Sequence, residues 1–363
     1  MTLTEMIAEA GAESVHLAGD AATGLRAVVA VHSTVLGPSL GGVRFRPYPD
    51  ERAAVLDALR LAQGMTYKHA VCGNDQGGGK AVIIGDPRVL RSDDLIRTYA
   101  RFVDALGGRY RTAQDVGTTQ ADMDLARSVT PWVTGTSEHL GGSGDPSPAT
   151  AWGVLHALGA VSERVWGDAT LAGRHVAVVG VGKVGSGLAR HLAAAGARLT
   201  LADVRVDVVA GLVDELRAGG AVVEAADPAS VHRAESDILA PCALGGGLSA
   251  ATIPQLRCAA VCGAANNQLA TDADAARLAE RGITYAPDYV VNAGGVINIA
   301  AESAPGGYDR AAALARVAGI GATLRRVFAL ADERSSTTAE AADALAEARL
   351  ATALRTRSPD RER

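Results

Sequence analysis

The chain has 363 residues, more than one hydrophobic core usually holds, so its length predicts two domains. Hydrophobic residues make up 48% and charged residues 21%, a globular composition that excludes a disordered chain. The net charge of −5, from 35 basic and 40 acidic side chains, comes with no basic arm and no zinc-finger spacing, so nucleic acid is not an expected partner.

Four scattered cysteines (Cys72, Cys242, Cys258 and Cys262) do not make a disulfide scaffold, and Cys258 and Cys262 lack companion ligands, so no metal is expected. The opening residues lack a basic stretch followed by an apolar one, and no run of about 18 apolar residues occurs. A cytoplasmic protein without a membrane span is therefore expected.

In chain order, residues 25–35 read as a strand stopped by Leu36-Gly37-Pro38. Leu40-Gly41-Gly42-Val43-Arg44-Phe45 sets glycines beside a sheet, with an ordinary turn as the equal alternative. Residues 51–70 carry Ala54, Leu56, Leu59, Leu61 and Met65 at helical spacing, so Lys68 should close a helix. A lysine there also simply complements the helix dipole.

Gly77-Gly78-Gly79-Lys80 follows, leading into the strand Val82-Ile83-Ile84. Three bare residues would let a small molecule approach the backbone next to Lys80. A lysine held at a sheet loses hydration and has a second lysine in prospect, and both effects favour a neutral amine able to act as a general base. Taken alone, such a stretch is more often a solvated surface turn. It is not a phosphate loop, because Asn74 and Ala81 stand where that pattern needs glycine and a hydroxyl.

Ser92-Asp93-Asp94 caps a helix running to about Leu106. Asp115 lies between a predicted strand and Gly117, where a carboxylate reaches a cleft or merely decorates a turn. The Gly141–Pro148 stretch, rich in Gly, Ser and Pro, marks a domain boundary.

The next signal is mechanical. His175-Val176-Ala177-Val178-Val179 is a buried strand, Gly180-Val181-Gly182-Lys183-Val184-Gly185 is a turn, and a helix opens at about Leu188 and ends at Gly196. A second strand over 198–202 delivers Asp203 at its end. This is the Gly-x-Gly-x-x-Gly dinucleotide unit: Gly180 for the turn, Gly182 for close approach of pyrophosphate, Gly185 for helix–strand packing. Asp203 should accept the ribose hydroxyls of NAD and repel a 2′-phosphate, although the nearby Arg205 could pair with one. Later apolar segments end at Cys242, at Asn266-Asn267 and near Asn292, the strand ends where such sheets bind ligands. Asparagines that only tie loops together are the plainer alternative.

With all of these in order, the sequence resembles the glutamate/leucine/phenylalanine/valine dehydrogenase family, closest to its bacterial valine and leucine branch. The likeness runs through Leu36–Arg44, Met65-Thr66-Tyr67-Lys68, Gly77–Lys80, Asp115-Val116-Gly117, the glycine turn, Gly263–Asn267 and Pro287–Gly295. The resemblance implies an α/β fold in two domains around a cleft. Residues 1–140 would be the substrate and oligomerisation domain, with C-terminal helices over 330–363 packed back on it; 141–329 would be a doubly wound Rossmann NAD-binding domain. It implies a homo-oligomer acting on an amino acid, a 2-oxo acid and ammonia, with NAD as hydride acceptor. Lys68 would grip the substrate carboxylate with help from Gly41, Gly42 and Asn266. Lys80 would be the general base and Asp115 the proton shuttle. Thr150, Cys242 and Ala243 would neighbour the cofactor, as would Asn266 and Asn292.

The side-chain pocket implied is Leu40, Ala113, Val296 and Ile299. Relatives acting on glutamate carry lysine where this chain has Leu40, and a buried carboxylate facing leucine would cost several kcal/mol, which removes glutamate. Branched residues at 296 and 299 favour valine, then leucine or isoleucine; a phenylalanine- or leucine-preferring enzyme is the alternative. A catalytically silent NAD-binding sensor is a further one, but has no physical need for two converging lysines. Two departures stand out: Asn74, where an aliphatic residue usually precedes the glycines, and Val43, where threonine is common.

Overall fold

A computed structural model describes residues 2–243 and 245–357, so residues 358–363 of the expected C-terminal helices lie outside the described residues. The chain forms two compact units, one of Met1–Asp145, Val296–Arg310 and Ala346–Arg363, the other of Pro146–Gly295 and Ala311–Leu345.

In the first unit, β1 (Ser14–Asp20), β2 (Leu25–Ser33), β3 (Ser39–Arg46), β4 (Gly77–Ile84) and β5 (Tyr110–Gln114) form a mixed sheet in the order β1-β2-β4-β3-β5. β2 pairs antiparallel with β1 and β4, whereas β3 runs parallel to β4 and β5. The Leu40–Phe45 segment is thus an interior strand and not a turn. Side chains alternate between two cores. Val29, Val43 and Ile83 pack with Leu95 and Tyr99 of the helix Asp93–Asp104. Val28, Ala30 and Val82 pack with Ala54, Ala58 and Leu59 of the helix Glu51–Val71 on the other face. Val43, the departure from threonine, therefore fills a core on the face opposite Lys80.

Both helices start where their caps dictate. Asp50 accepts from the Ala53 N–H at 2.7 Å and Ser92 from the Leu95 N–H at 3.2 Å. The first helix runs through Lys68 to Val71, so Lys68 lies in its last turn as the spacing predicts.

The three glycines of β4 serve packing, not the approach of a small molecule. A Cβ on Gly77 would lie 1.9 Å from the Ser33 carbonyl oxygen, and one on Gly78 would lie 2.2 Å from the Thr66 nitrogen. Gly79 faces the Tyr110 ring and Ser39. The strand is pressed against its neighbours so closely that only hydrogen fits at these positions.

In the second unit, β6 (His175–Val179), β7 (Arg198–Ala202), β8 (Val223–Ala225), β9 (Ile238–Pro241), β10 (Ala260–Val261) and β11 (Thr284–Tyr285) form a wholly parallel sheet ordered β11-β10-β9-β6-β7-β8. The order reverses beside β6, the doubly wound arrangement that binds dinucleotides at the switch point. The helix after the glycine turn begins at Lys183, five residues before the expected Leu188, because Gly182 already has the extended backbone of a helix N-cap. Gly185 and Gly187 conceal this first turn from a hydrophobic-periodicity reading. Among the described residues, no helix is long and apolar enough to cross a membrane.

Gly78→Ala should lower stability by about 1–3 kcal/mol through overpacking against the helix backbone. Gly64→Ala, in that same helix with open space around it, should raise stability by about 0.5–1 kcal/mol. Urea unfolding of both variants checks the contrast; equal effects would contradict the packing role of the β4 glycines.

Candidate active site

Lys80 sits within β4, opposite Ala30 of β2, and is 7% exposed. Its ammonium forms an ion pair with Asp115, which follows the last residue of β5. A carboxylate thus faces Lys80 directly, a contact beyond the second cation that the sequence puts in prospect. Arg44 of β3 completes the group, its Nε 3.6 Å from Asp115 Oδ2 and its Nη1 3.0 Å from Asp57 Oδ2. Asp57 also accepts from the Tyr48 hydroxyl at 2.7 Å.

Glycine and loop geometry admit Asp115 to this position. A Cβ on Gly42 would lie 2.9 Å from the Asp115 Cβ, so any other residue there would push the carboxylate away. The Asp115 N–H donates to Thr118 Oγ1 at 2.9 Å, the Val116 N–H donates to Asp115 Oδ1 at 2.7 Å, and Thr118 Oγ1 donates to the Val43 carbonyl at 3.0 Å. Burial alone would raise the Asp115 pKa, but the Lys80 charge, then Arg44 and the Val116 N–H, hold it below the ordinary carboxylate value.

Next to this group lies an apolar wall. Leu40, Ala113 and Ile299 pack together with Ala300, all buried. Val296, half-buried, sits one turn before Ile299 on the helix Gly294–Ala300. Gly42 pairs with Ala113, so Leu40, Gly42, Arg44 and Ala113 share one sheet face. Gly41 points the other way; its carbonyl accepts from the Tyr110 hydroxyl at 2.6 Å, and a Cβ there would lie 1.8 Å from the Gly79 carbonyl oxygen.

Lys68 is half-buried at the end of the helix Glu51–Val71. The following residue, His69, is wholly buried, with Nε2 3.2 Å from the Leu40 carbonyl and Nδ1 3.1 Å from Asn74 Nδ2. Arg349 of the helix Thr338–Arg357 donates to the carbonyls of His69, Ala70 and Asn74 at 3.0, 3.1 and 2.8 Å. It thus adds a charged donor to carbonyls at the helix end, where the His69 carbonyl also accepts from the Asn74 N–H.

Sequence reasoning missed Arg44, Ala300 and the His69–Asn74 pair. Arg44 was within reach, since alternation along β3 puts it on the face of Leu40 and Gly42. Nothing in the pattern signals a buried polar pair of single residues.

In the second unit, Gly180 has φ +97° and a Cβ on it would lie 2.7 Å from the Ala243 Cβ, while a Cβ on Gly185 would lie 1.9 Å from the Gly180 carbonyl oxygen. At Gly182 the space is open, the nearest atom being Arg205 Nη2 at 4.0 Å. Lys183 and Val184 start the helix behind the turn. Asp203 Oδ2 accepts from the Val181 N–H at 2.8 Å, and its Oδ1 lies 3.2 Å from Arg205 Nε. The Arg205 hydrogen bond, helped by the backbone and opposed by burial, brings the Asp203 pKa down to about 2.

Cys242 and Ala243 border the glycine turn, and burial pushes the Cys242 thiol up to about 11. Asn292 donates to Asn266 Oδ1 at 2.8 Å and to the Ala264 carbonyl at 3.1 Å. Thr150 donates to the Pro146 carbonyl at 3.0 Å, and its Oγ1 lies where a Cβ on Gly295 would meet it at 2.8 Å.

The family model described as the Glu/Leu/Phe/Val dehydrogenase dimerisation domain matches residues 13–131, and the one described as Glutamate/Leucine/Phenylalanine/Valine dehydrogenase matches residues 202–357. The chain is similar to valine dehydrogenase of Streptomyces coelicolor, at 51% identity over 346 residues, covering 95% of this chain and 94% of that one. It is also similar to leucine dehydrogenase of Geobacillus stearothermophilus, at 47% identity over 347 residues, covering 96% and 93%. The solved structure of L-tryptophan dehydrogenase from Nostoc punctiforme matches with a TM-score of 0.84 at 40% identity, covering 97% and 99%.

The buried imidazole gives this region a pH signature. Complete burial pushes His69 down to about 3, with Lys68 and Arg349 adding to the effect and the Leu40 carbonyl opposing it. A histidine depressed in the folded state takes up its proton more readily on unfolding, so its contribution is complete above about pH 6.5 and is lost as the pH falls toward 3. Between pH 7 and pH 5 that loss should be roughly 2 kcal/mol. Urea unfolding at both pH values, compared with a His69→Gln variant, reads it as a flatter pH dependence in the variant; equal slopes would disprove it.

Proposed function

Because the chain belongs to the glutamate/leucine/phenylalanine/valine dehydrogenase family, we propose that it catalyses the reversible NAD-dependent oxidative deamination of a branched-chain aliphatic L-amino acid, valine first. The observation that carries this reading is the buried Lys80–Asp115 pair on the same sheet face as an uncharged aliphatic wall. The wall disfavours a substrate with a distal carboxylate and offers no group to bind a polar side chain. One methylene changes discrimination by about 1–3 kcal/mol, so leucine and isoleucine are expected as secondary substrates.

The second unit fits the cofactor. Gly182 leaves open space at a helix N-terminus for pyrophosphate, and Gly180 and Gly185 have the contacts that a dinucleotide turn requires. Asp203 would accept the ribose hydroxyls, and its negative charge selects against a 2′-phosphate. Arg205 is already engaged by that carboxylate, which supports NAD over NADP. Thr150, Cys242-Ala243 and the Asn266–Asn292 pair are cofactor neighbours in this reading. When bound, NAD supplies the acceptor for the hydride that leaves Cα.

The chain's own residues do the rest. Lys68 holds the substrate carboxylate beside the backbone of Gly41 and Gly42. Lys80 takes a proton from the water that attacks the substrate's imine carbon, and Asp115 relays the proton that leaves with the amine, giving a 2-oxo acid and ammonia. The ion pair means that Lys80 must hand a proton on before it can act as a base, and Asp115 is the acceptor in contact with it. Arg44 keeps Asp115 ionised between turnovers. The description of the first matched region as a dimerisation domain supports a homo-oligomer. Chemistry on free amino acids with a diffusible nucleotide supports a cytoplasmic location.

NADH absorbance should rise when L-valine and NAD are mixed with the protein at alkaline pH, with smaller rates for leucine and isoleucine and none for glutamate. No signal with any aliphatic amino acid would end this reading. Lys80→Ala should lower kcat by about 10²–10⁴-fold while NADH still binds, measured by quenching or calorimetry. Turnover near that of the unaltered enzyme would remove Lys80 from the role of base.

A further inference from the structure

We propose that Asn74 and His69 form a positioning device that fixes the distance between the Lys68 helix end and the Leu40–Gly42 segment of β3, and so sets how tightly the substrate is held. The inference rests on the function proposed above and assigns that site two residues beyond its direct contacts.

The geometry leaves little freedom. The Leu40 carbonyl can only accept, so the His69 Nε2 at 3.2 Å must carry the hydrogen. A wholly buried imidazole without a counter-charge is neutral, which leaves Nδ1 as a bare acceptor. Asn74 supplies the matching donor, its side-chain amide N–H reaching Nδ1 at 3.1 Å. Asn74 is itself 0% exposed and its backbone N–H donates to the His69 carbonyl at 3.0 Å. Every polar atom of the imidazole is therefore satisfied in one tautomer and one orientation.

The consequences pass in two directions along the backbone. The Leu40 side chain is part of the aliphatic wall, and the two residues after it are the glycines that flank the proposed carboxylate position. In the other direction, Lys68 is the residue immediately before His69. The imidazole thus bridges the two segments that must hold a substrate between them. Arg349 anchors the far side of the same turn through the carbonyls of His69, Ala70 and Asn74, so the turn cannot follow a displaced imidazole freely. An aliphatic residue at position 74 would leave Nδ1 without a donor in a dry core, and a ring with an unpaired nitrogen gains by turning away from Leu40.

The test uses the full-length enzyme. Asn74→Leu, with the same number and branching of side-chain heavy atoms, should raise the KM for L-valine about tenfold while kcat stays within about twofold, with the KM for NAD unchanged. A general loss of structure would lower kcat and alter both KM values. His69→Ala and the double variant His69→Ala/Asn74→Leu complete a cycle: if the asparagine acts through the imidazole, its replacement has no further effect on KM once the ring is gone. Asn74→Leu with an unchanged KM for valine, or additive effects in the cycle, overturns the proposal. Should Asn74→Leu fail to yield folded protein, His69→Ala tests the contact from the other end and must raise the same KM alone. An unaltered enzyme inactive on every aliphatic amino acid would defeat the functional reading instead, so the two failures are distinguishable.

Discussion

The first unit is arranged around one buried ion pair. Taking a lysine and an aspartate out of water costs several kcal/mol per ion, and their attraction offsets this only when the geometry is good and further partners are present. Each neighbouring feature supplies part of that condition. Gly42 admits the Asp115 side chain, Thr118 and the Val116 N–H hold the loop, and Arg44 adds a second positive charge. Gly78 lets β4 approach the helix Glu51–Val71 closely at Thr66, while Gly77 and Gly79 meet Ser33 and the Tyr110 ring. A site built this way exchanges stability for reactivity, because the paired charges contribute less to folding than apolar residues of equal size.

Much of this was legible beforehand. The dinucleotide turn had a motif whose spacing carries a mechanism, the roles of the lysines and Asp115 came from the family resemblance, and the cap at Ser92 follows from side-chain chemistry alone. What the pattern concealed has physical reasons. Glycine has no side chain to show period two, so β3 looked like a turn, and Gly185 and Gly187 hid the first turn of the helix that begins at Lys183. The triple glycine had the right location but the wrong reason, since openness and tight packing demand the same residue. The direct pairing of Lys80 with Asp115 was hidden because the two lie 35 positions apart in sequence and meet only through sheet register.

The two departures from the family pattern part company once burial is known. The Val43 side chain faces an apolar core that calls for no hydroxyl, and only its backbone carbonyl, accepting from Thr118, meets the site. Asn74 is buried beside an imidazole that needs a donor, so a polar residue there answers a polar neighbour five residues earlier. The same burial turns a single unusual residue from noise into part of a network.

The cap that Arg349 places on the Lys68 helix has a bearing on biosynthesis. That guanidinium is translated 275 residues after the Asn74 carbonyl it binds, and the Val296–Arg310 segment of the same unit also emerges late. The part of the protein made first is therefore completed last: on the ribosome the nascent N-terminal sheet waits, without the guanidinium at its helix end and with an apolar wall half built, until nearly the whole polypeptide has been made.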